Sequence, residues 1–285
     1  MNVFKVKEKR VIPDTLLFSA KPKIGKTTQI SKLPKNLIIS LEYNGTDFLS
    51  KEIETLDCSA ILSVCKQDIE DLLTKNVKTK CLDIASIPEP HNRIKALNLI
   101  LRALISLNKP YDYVSIDTIT QADIDAEWAG TELYMDSLQG KVFNREQVLG
   151  QPSTKWPRLS YGHPDYESVI SGVGQNGWRW SRTVMVDLLN LSRQAANICT
   201  IYVSHLRDKM LSKPDKGEVY IKDIALSGAV ADIYSRGVSA VGSVYREDDK
   251  LMISFKGNED KTGGNRGKIG SYEGEFNWEK IFGKD

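Results

Sequence analysis

The sequence predicts an α/β fold: a mostly parallel sheet with helices on both faces and a C-terminal β-hairpin. Short apolar segments alternate with segments of helical periodicity as far as residue 205. This alternation is typical of a parallel sheet whose faces are both covered. Two further β-prone segments near the C-terminus are separated only by an Asp-Asp turn, which indicates a hairpin.

The elements follow in the order that such a sheet requires. Apolar, β-branched segments predict strands at 15–20, 36–42, 81–87, 111–117 and 198–205. Helical spacing or helix-compatible composition predicts helices at 26–33, 65–75, 91–108 and 182–197, the first of them ended by Pro34. The hairpin strands are predicted at 238–247 and 250–258. We expect a single domain over 1–285, with an irregular aromatic-rich insertion at about 128–180 and a hairpin element at about 238–270.

Composition excludes several classes of protein. The chain has 285 residues, 41% of them hydrophobic and 27% charged, as in an ordinary globular protein. A net charge of +2 is too small for binding nucleic acid by bulk electrostatics, so any such contact requires a local patch. The four cysteines form no CxxC pair, which argues against a zinc site and favours a reducing compartment. No apolar stretch of about 18 residues occurs, so we expect a soluble intracellular protein without a membrane contact.

The segment "LLFSAKPKIGKTTQIS" (16–31) has the pattern of a phosphate-binding loop. Ala20, Gly25, Lys26 and Thr27 have the A/G-x-x-x-x-G-K-S/T spacing, with alanine in place of the first glycine. Lys26 would contact the β- and γ-phosphates, Thr27 would bind Mg²⁺, and the following helix would direct its positive end at the phosphates. The alternative is a basic surface loop. The predicted nucleotide-binding residues are Ala20, Lys21, Pro22, Lys23, Ile24, Gly25, Lys26, Thr27 and Thr28.

Asp117 ends the apolar strand "YVSID", where a P-loop enzyme carries the Walker B carboxylate that holds magnesium. An aspartate in this position can instead cap a helix beginning in "ITQADIDAEW". The two roles are compatible. Together with the phosphate loop, the pattern favours Asp117 as a second metal-binding residue beside Thr27.

The order of these motifs resembles the RecA-like ATPases. In that family the phosphate loop is followed by a strand ending in a catalytic glutamate, here Glu42 in "LIISLEYNGTD". After Walker B comes a strand whose last polar residue senses the γ-phosphate, here His205 in "IYVSHLRDK", where RecA carries glutamine. The resemblance covers roughly 16–47, 111–121, 198–208 and 238–270. It implies a RecA-like P-loop fold, ATP and Mg²⁺ as ligands, and catalytic roles for Lys26, Glu42, Asp117 and His205.

The family also implies that a basic C-terminal hairpin reaches the nucleotide of a neighbouring protomer. The segment "SFKGNEDKTGGNRGK" carries four basic residues in one Gly-rich loop. Lys256 and Arg266 are the two candidates for a finger acting in trans, and the alternative is a solvated basic loop. The expected assembly is a homo-oligomeric ring or filament.

Single-stranded DNA is the partner that the resemblance implies, contacted by the segments 128–180 and 206–218. Aromatic residues interleaved with arginines can stack bases and bind phosphates. The predicted DNA-binding residues are Trp178, Arg179, Trp180, Arg182, Arg207 and Lys209. Buried tryptophans that support a lid are the alternative, favoured for Trp128 and Trp156.

The turn "LEYNGTD" and the compact length further resemble bacteriophage RecA-like ATPases of single-strand annealing and recombination. The predicted function is therefore Mg²⁺-dependent ATP hydrolysis coupled to single-stranded DNA, in the cytoplasm (the host's, if phage-encoded). Two alternatives remain. One is a kinase of a nucleoside or metabolite, with the aromatic segment as its acceptor pocket. The other is a non-catalytic protein whose bound nucleotide stabilises an assembly.

Overall fold

A large, mostly parallel sheet organises the chain. The computed structural model describes residues 12–47, 49–137, 176–213, 217–257, 264–265 and 272–283, with the backbone alone at 176–177, 209–213, 217–221 and 265. The strands are β1 Thr15–Ala20, β2 Asn36–Ser40, β3 Glu54–Asp57, β4 Lys80–Asp83, β5 Tyr113–Asp117, β6 Cys199–Lys213, β7 Gly217–Ile224, β8 Ala240–Glu247, β9 Lys250–Ser254, β10 Gly264–Asn265 and β11 Glu273–Glu275.

The order across the sheet is β11-β9-β8-β1-β6-β5-β2-β4-β3, and all neighbours from β8 to β3 are parallel. The strands β9, β10 and β11 add antiparallel pairs at the β8 side. The predicted hairpin of β8 and β9 is confirmed. Asp248 and Asp249 both have positive φ, as a two-residue hairpin turn that follows the twist of its strands requires.

Helices cover both faces of the sheet, as predicted. They are α1 Lys26–Ile30, α2 Lys66–Thr74, α3 Pro90–Ser106, α4 Ile119–Asp136, α5 Asn176–Ser192, α6 Gly228–Gly237 and α7 Trp278–Phe282. Successive strand residues point to opposite faces, so Leu17 packs with the core beneath α2 to α6 while Phe18 packs with α1 and α7. In the described part of the chain, no helix is both long and apolar enough to cross a membrane.

Two predicted irregular segments are more regular than expected. The region predicted at about 128–180 is helical at both of its described ends, where Trp128 lies in α4 and Trp178 and Trp180 lie in α5. Residues 138–175, with Trp156, lie outside the described residues. The segment 206–218, predicted as a loop, instead forms most of a two-stranded ribbon, because β6 continues past the sheet and pairs antiparallel with β7.

The helices α4 and α5 pack unusually closely at Gly130. A Cβ atom at this position would lie 2.5 Å from the backbone nitrogen of Ser181 and 2.7 Å from its Cα. Both contacts are with backbone atoms, which cannot move aside as the end of a flexible side chain can. Glycine is therefore required here by the approach of the neighbouring helix, at a cost in helix propensity.

We expect Gly130→Ala to lower the free energy of unfolding by about 1–3 kcal/mol, because the added methyl group must separate the two helices. Chemical denaturation followed by circular dichroism measures this change. Leu133→Ala on the same helix is the control. Leu133 is 44% exposed, so its truncation should change stability by about 0.5 kcal/mol or less. A neutral or stabilising effect of Gly130→Ala, as helix propensity alone would give, would contradict the close packing.

Candidate functional site

The phosphate-loop motif lies between a buried strand and a short helix. All six residues of β1 are buried, and the strand ends at Ala20. Gly25 precedes α1 with φ of +105°, a conformation that side chains rarely adopt, and Lys23 in the same loop has φ of +61°. The helix has only five residues, shorter than predicted, and Asn36 Nδ2 binds the carbonyl of its last residue at 2.7 Å. So short a helix builds only part of a macrodipole, so a phosphate group at this place would depend mainly on the loop and Lys26.

The carboxyl ends of β1, β6, β5 and β2 lie side by side, and each leads to a residue of predicted function. Ala20 pairs with His205 across β1 and β6, and Ser40 pairs with Asp117 across β2 and β5. Glu42 follows β2 by two residues. The structure thus brings Lys26, Thr27, Glu42, Asp117 and His205 together at one edge of the sheet.

Asp117 is the most buried acidic group at this edge, with an exposed fraction of 3%. Thr27 Oγ1 donates a hydrogen bond of 2.6 Å to its Oδ2, whereas its Oδ1 is buried with no hydrogen-bond partner among the described residues. Burial raises the pKa of Asp117 to about 6, a shift that the Thr27 hydrogen bond opposes and nearby Glu42 reinforces. An unpaired carboxylate oxygen beside a threonine hydroxyl is a donor set that suits a hard cation such as Mg²⁺.

Lys26 is buried, with its ammonium group held by two acceptors. Its Nζ lies 3.2 Å from the carbonyl oxygen of Lys21 and 3.2 Å from Nδ1 of His205. Burial lowers the pKa of Lys26, while the charges of Asp117 and Glu42 act in the opposite direction. Both acceptors are uncharged oxygen or nitrogen atoms, which an anionic phosphate could replace with a gain in Coulomb energy.

Glu42 accepts two hydrogen bonds at the same oxygen. Thr118 Oγ1 donates to Oε1 at 3.1 Å, and His205 Nε2 is also bound to Oε1. Burial alone would raise the pKa of Glu42. The hydrogen bonds from His205 and Thr118 and the charge of Lys26 together outweigh burial and lower it. Glu42 is therefore a carboxylate at neutral pH.

The cavity at this edge has a volume of about 770 Å³, within the range of small-molecule sites. Several predicted nucleotide-binding residues line it, together with Glu42 and His205. The turn after Glu42 supplies further lining residues: Tyr43, Asn44, Gly45 and Asp47. The sequence analysis missed them because it assigned no ligand contact to this turn. Thr118 and Thr120 were also missed as contacts of the site. Their signal is the pair of hydroxyl residues directly after Asp117 in "DTIT".

The other predicted site residues lie in different surroundings. Lys256 forms an ion pair of 3.0 Å with Glu273 of its own chain, and Arg266 lies outside the described residues. On α5, Trp178, Arg179 and Arg182 are exposed and Trp180 is half-buried. Arg207 is exposed near the base of the ribbon; of Lys209 only the backbone, within β6, is described.

No protein-family model matches the chain, and no curated protein matches it in sequence. Among solved structures, it is similar to one titled "Crystal structure of the RadB recombinase", at 8% identity over 89% of this chain and 86% of that chain, with a TM-score of 0.35. So distant a likeness carries no argument about activity, and the interpretation of the site depends on its own geometry.

The contacts of His205 determine which of its ring nitrogens carries hydrogen. A lysine ammonium group can only donate, so Nδ1 accepts from Lys26 and the hydrogen lies on Nε2, which donates to Glu42. His205 thus forms hydrogen bonds to both Lys26 and Glu42. It presents an acceptor to the Lys26 ammonium group and a donor to the Glu42 carboxylate.

We expect ¹⁵N NMR of the histidine-labelled protein near neutral pH to give His205 a protonated Nε2 and an unprotonated Nδ1. The chain has three histidines, and the signal lost in His205→Gln assigns this one. A hydrogen found on Nδ1 would contradict the inferred contact with the Lys26 ammonium group.

Proposed function

We propose that this protein is a RecA-like, Mg²⁺-dependent ATPase that acts as a homo-oligomer on single-stranded DNA. The observation that carries the proposal is the convergence of Lys26, Thr27, Glu42 and His205 around one cavity, with Asp117 hydrogen-bonded to Thr27 beside it. Each brings a different chemical capacity, and together they match what phosphoryl transfer to water needs: a cation, a metal site and a carboxylate for the water. The choice of ATP comes from the RecA resemblance of the motifs.

Thr27 and Asp117 are the residues that would hold Mg²⁺. The fit is supported by the buried Asp117 Oδ1, which has no hydrogen-bond partner among the described residues, and by the Thr27 hydroxyl bound to the other oxygen. A bound Mg²⁺ would neutralise charge on the phosphates. It would also compensate the burial of the Asp117 carboxylate.

Lys26 would bind the phosphates by exchanging its present acceptors. Its contacts with His205 and with the Lys21 carbonyl are both single hydrogen bonds to uncharged atoms. A triphosphate offers anionic oxygens at the same place, and charge-assisted hydrogen bonds are the stronger kind. The exchange would release Nδ1 of His205, which could donate a hydrogen bond to the γ-phosphate once this nitrogen is protonated.

Glu42 would orient the attacking water. Its lowered pKa keeps it ionised at neutral pH, so it can accept a hydrogen bond from water. Among the described residues, both side-chain hydrogen bonds of Glu42 engage Oε1, which leaves Oε2 as an acceptor for water.

His205 also belongs to the strand that becomes the ribbon, which supports a link between nucleotide and DNA. Its backbone nitrogen donates to Thr120 Oγ1 at 3.0 Å, and its carbonyl accepts from Ala225 N at 2.9 Å, where the chain returns from β7. A shift of this residue on nucleotide binding would move the base of the ribbon that carries Arg207. The exposed Trp178, Arg179 and Arg182 on α5 supply the aromatic and cationic groups that single strands bind.

In a homo-oligomer, Lys256 could bind a phosphate group of the nucleotide held by a neighbouring protomer. Within one chain Lys256 is bound to Glu273, which also accepts from the Tyr245 hydroxyl at 3.2 Å. Because its side chain is 54% exposed, exchanging this contact for a neighbour's phosphate would cost little. Size measurement with and without a non-hydrolysable ATP analogue tests the assembly.

We expect Lys26→Ala to abolish ATP binding and hydrolysis, whereas Glu42→Gln should keep binding and lower kcat by about 100-fold or more. Lys32→Ala is the control, since Lys32 is an exposed lysine just after the same helix. Steady-state turnover and analogue titration measure the two effects. Assembly and function left intact by Glu42→Gln would instead favour nucleotide binding as a purely structural event, and phosphoryl transfer to an added nucleoside would favour a kinase.

For DNA, we expect single-stranded oligonucleotide to raise the ATPase rate, and Trp178→Ala to weaken its binding by about 1–3 kcal/mol per stacked base. Arg179→Ala should weaken binding and reduce its dependence on salt. The matched control is Arg102→Ala, an exposed arginine on α3. Equal effects of the Arg102 and Arg179 substitutions, or no stimulation by any DNA, would exclude this surface as the binding site.

A further inference from the structure

Thr118 is a fully buried residue whose hydroxyl group has two partners of different kinds. It accepts a hydrogen bond from the backbone nitrogen of Gln121 at 3.2 Å, which caps the first turn of α4. It also donates to Oε1 of Glu42 at 3.1 Å. A hydroxyl group has one hydrogen and two lone pairs, so both bonds can form at once.

Helix capping alone does not require this donor. A cap needs only an acceptor, and an asparagine oxygen serves that purpose at the start of α7, where Asn277 accepts from two backbone nitrogens. At Thr118 the accepted bond orients the hydroxyl group, and its hydrogen is directed to Glu42. The capping contact therefore makes the hydroxyl a fixed donor rather than a free rotor.

Glu42 needs such a donor because its own position is loosely determined. It lies two residues beyond the end of β2, its side chain is 31% exposed, and three side-chain torsions separate its carboxylate from the backbone. Its other anchor, His205, also contacts Lys26. That anchor would change when phosphate binds Lys26, whereas the hydrogen bonds of the Thr118 hydroxyl involve neither Lys26 nor the loop at 21–25 among the described residues.

We propose that Thr118 is a positioning residue for hydrolysis, which holds the Glu42 carboxylate in place when His205 turns to the nucleotide. Thr118 acts through Glu42 and does not touch the reacting atoms. This inference rests on the proposed ATPase function and adds to it a residue to which the sequence analysis assigned no role.

The test compares Thr118→Val, which removes the hydroxyl at nearly constant volume, with Thr118→Ser, which keeps it. We expect the valine variant to lower kcat by about 10- to 100-fold, as expected for a misplaced catalytic group, with KM and analogue affinity nearly unchanged. The serine variant should restore most of the turnover. Thr131→Val is the matched control, because Thr131 is a buried threonine within α4 whose hydroxyl donates to the backbone carbonyl of Glu127. It should affect thermal stability and leave kcat unchanged.

A double substitution separates positioning from helix capping. In a Glu42→Gln background, Thr118→Val should have much less effect on the residual turnover, because the residue through which it acts has already been changed. If the valine variant does not fold, Thr118→Ala replaces it with the same expected result. Unchanged kcat in both variants, or equal losses in kcat and in analogue affinity, would overturn the proposal while leaving the ATPase function intact. Absence of turnover in the unsubstituted protein would overturn both.

Discussion

The parallel alignment of β1, β6, β5 and β2 is the constraint on which the rest of the structure depends. Parallel strands in register end at the same edge of the sheet, and here β6 lies between the strand of the phosphate loop and that of Asp117. Strands are about 4.8 Å apart, so side chains that follow three neighbouring strands are within reach of one another. The placement of His205 between Lys26 and Glu42 follows from this order.

Burial at that edge makes the charged groups depend on one another. Asp117 and Lys26 are both nearly inaccessible to solvent. Burial raises the pKa of Asp117 and lowers the pKa of Lys26, and both shifts favour the neutral form of the group. Their mutual attraction opposes this shift in Lys26, and a threonine hydroxyl opposes it in Asp117. An arrangement in which one carboxylate oxygen stays unpaired is costly for stability alone, and such costs are typical of sites that bind a charged ligand.

The sequence predicted those parts of the fold that carry a local signal. The apolar strands and the Asp-Asp turn were found because a buried parallel strand and a tight hairpin each need a specific composition. The helix α4 appeared in the sequence analysis only through an alternative role of Asp117 as its cap, because α4 includes the buried Asp123 and Asp125 and the exposed Ile124 and Leu133, so no polar face marks it. The ribbon was missed since β6 and β7 pair outside the core, where hydrogen bonding and not hydrophobic alternation defines the strands. The contact of Thr118 with Glu42 joins residues 76 positions apart and has no local pattern.

The segment that follows β7 explains how a movement of His205 at the candidate site could be transmitted to the ribbon formed by β6 and β7. Ala225 N is bound to the His205 carbonyl, and two residues later Ser227 is bound through its backbone nitrogen and its hydroxyl to Asp123 of α4. The ribbon is therefore held at its base by the same helix whose first turn Thr118 caps. Since β6 and β7 are bonded to each other by their own ladder, a rotation at this base would move them as one unit. A ligand that displaces His205 from Lys26 would thus act on a ribbon whose base is hydrogen-bonded to the sheet edge and to α4.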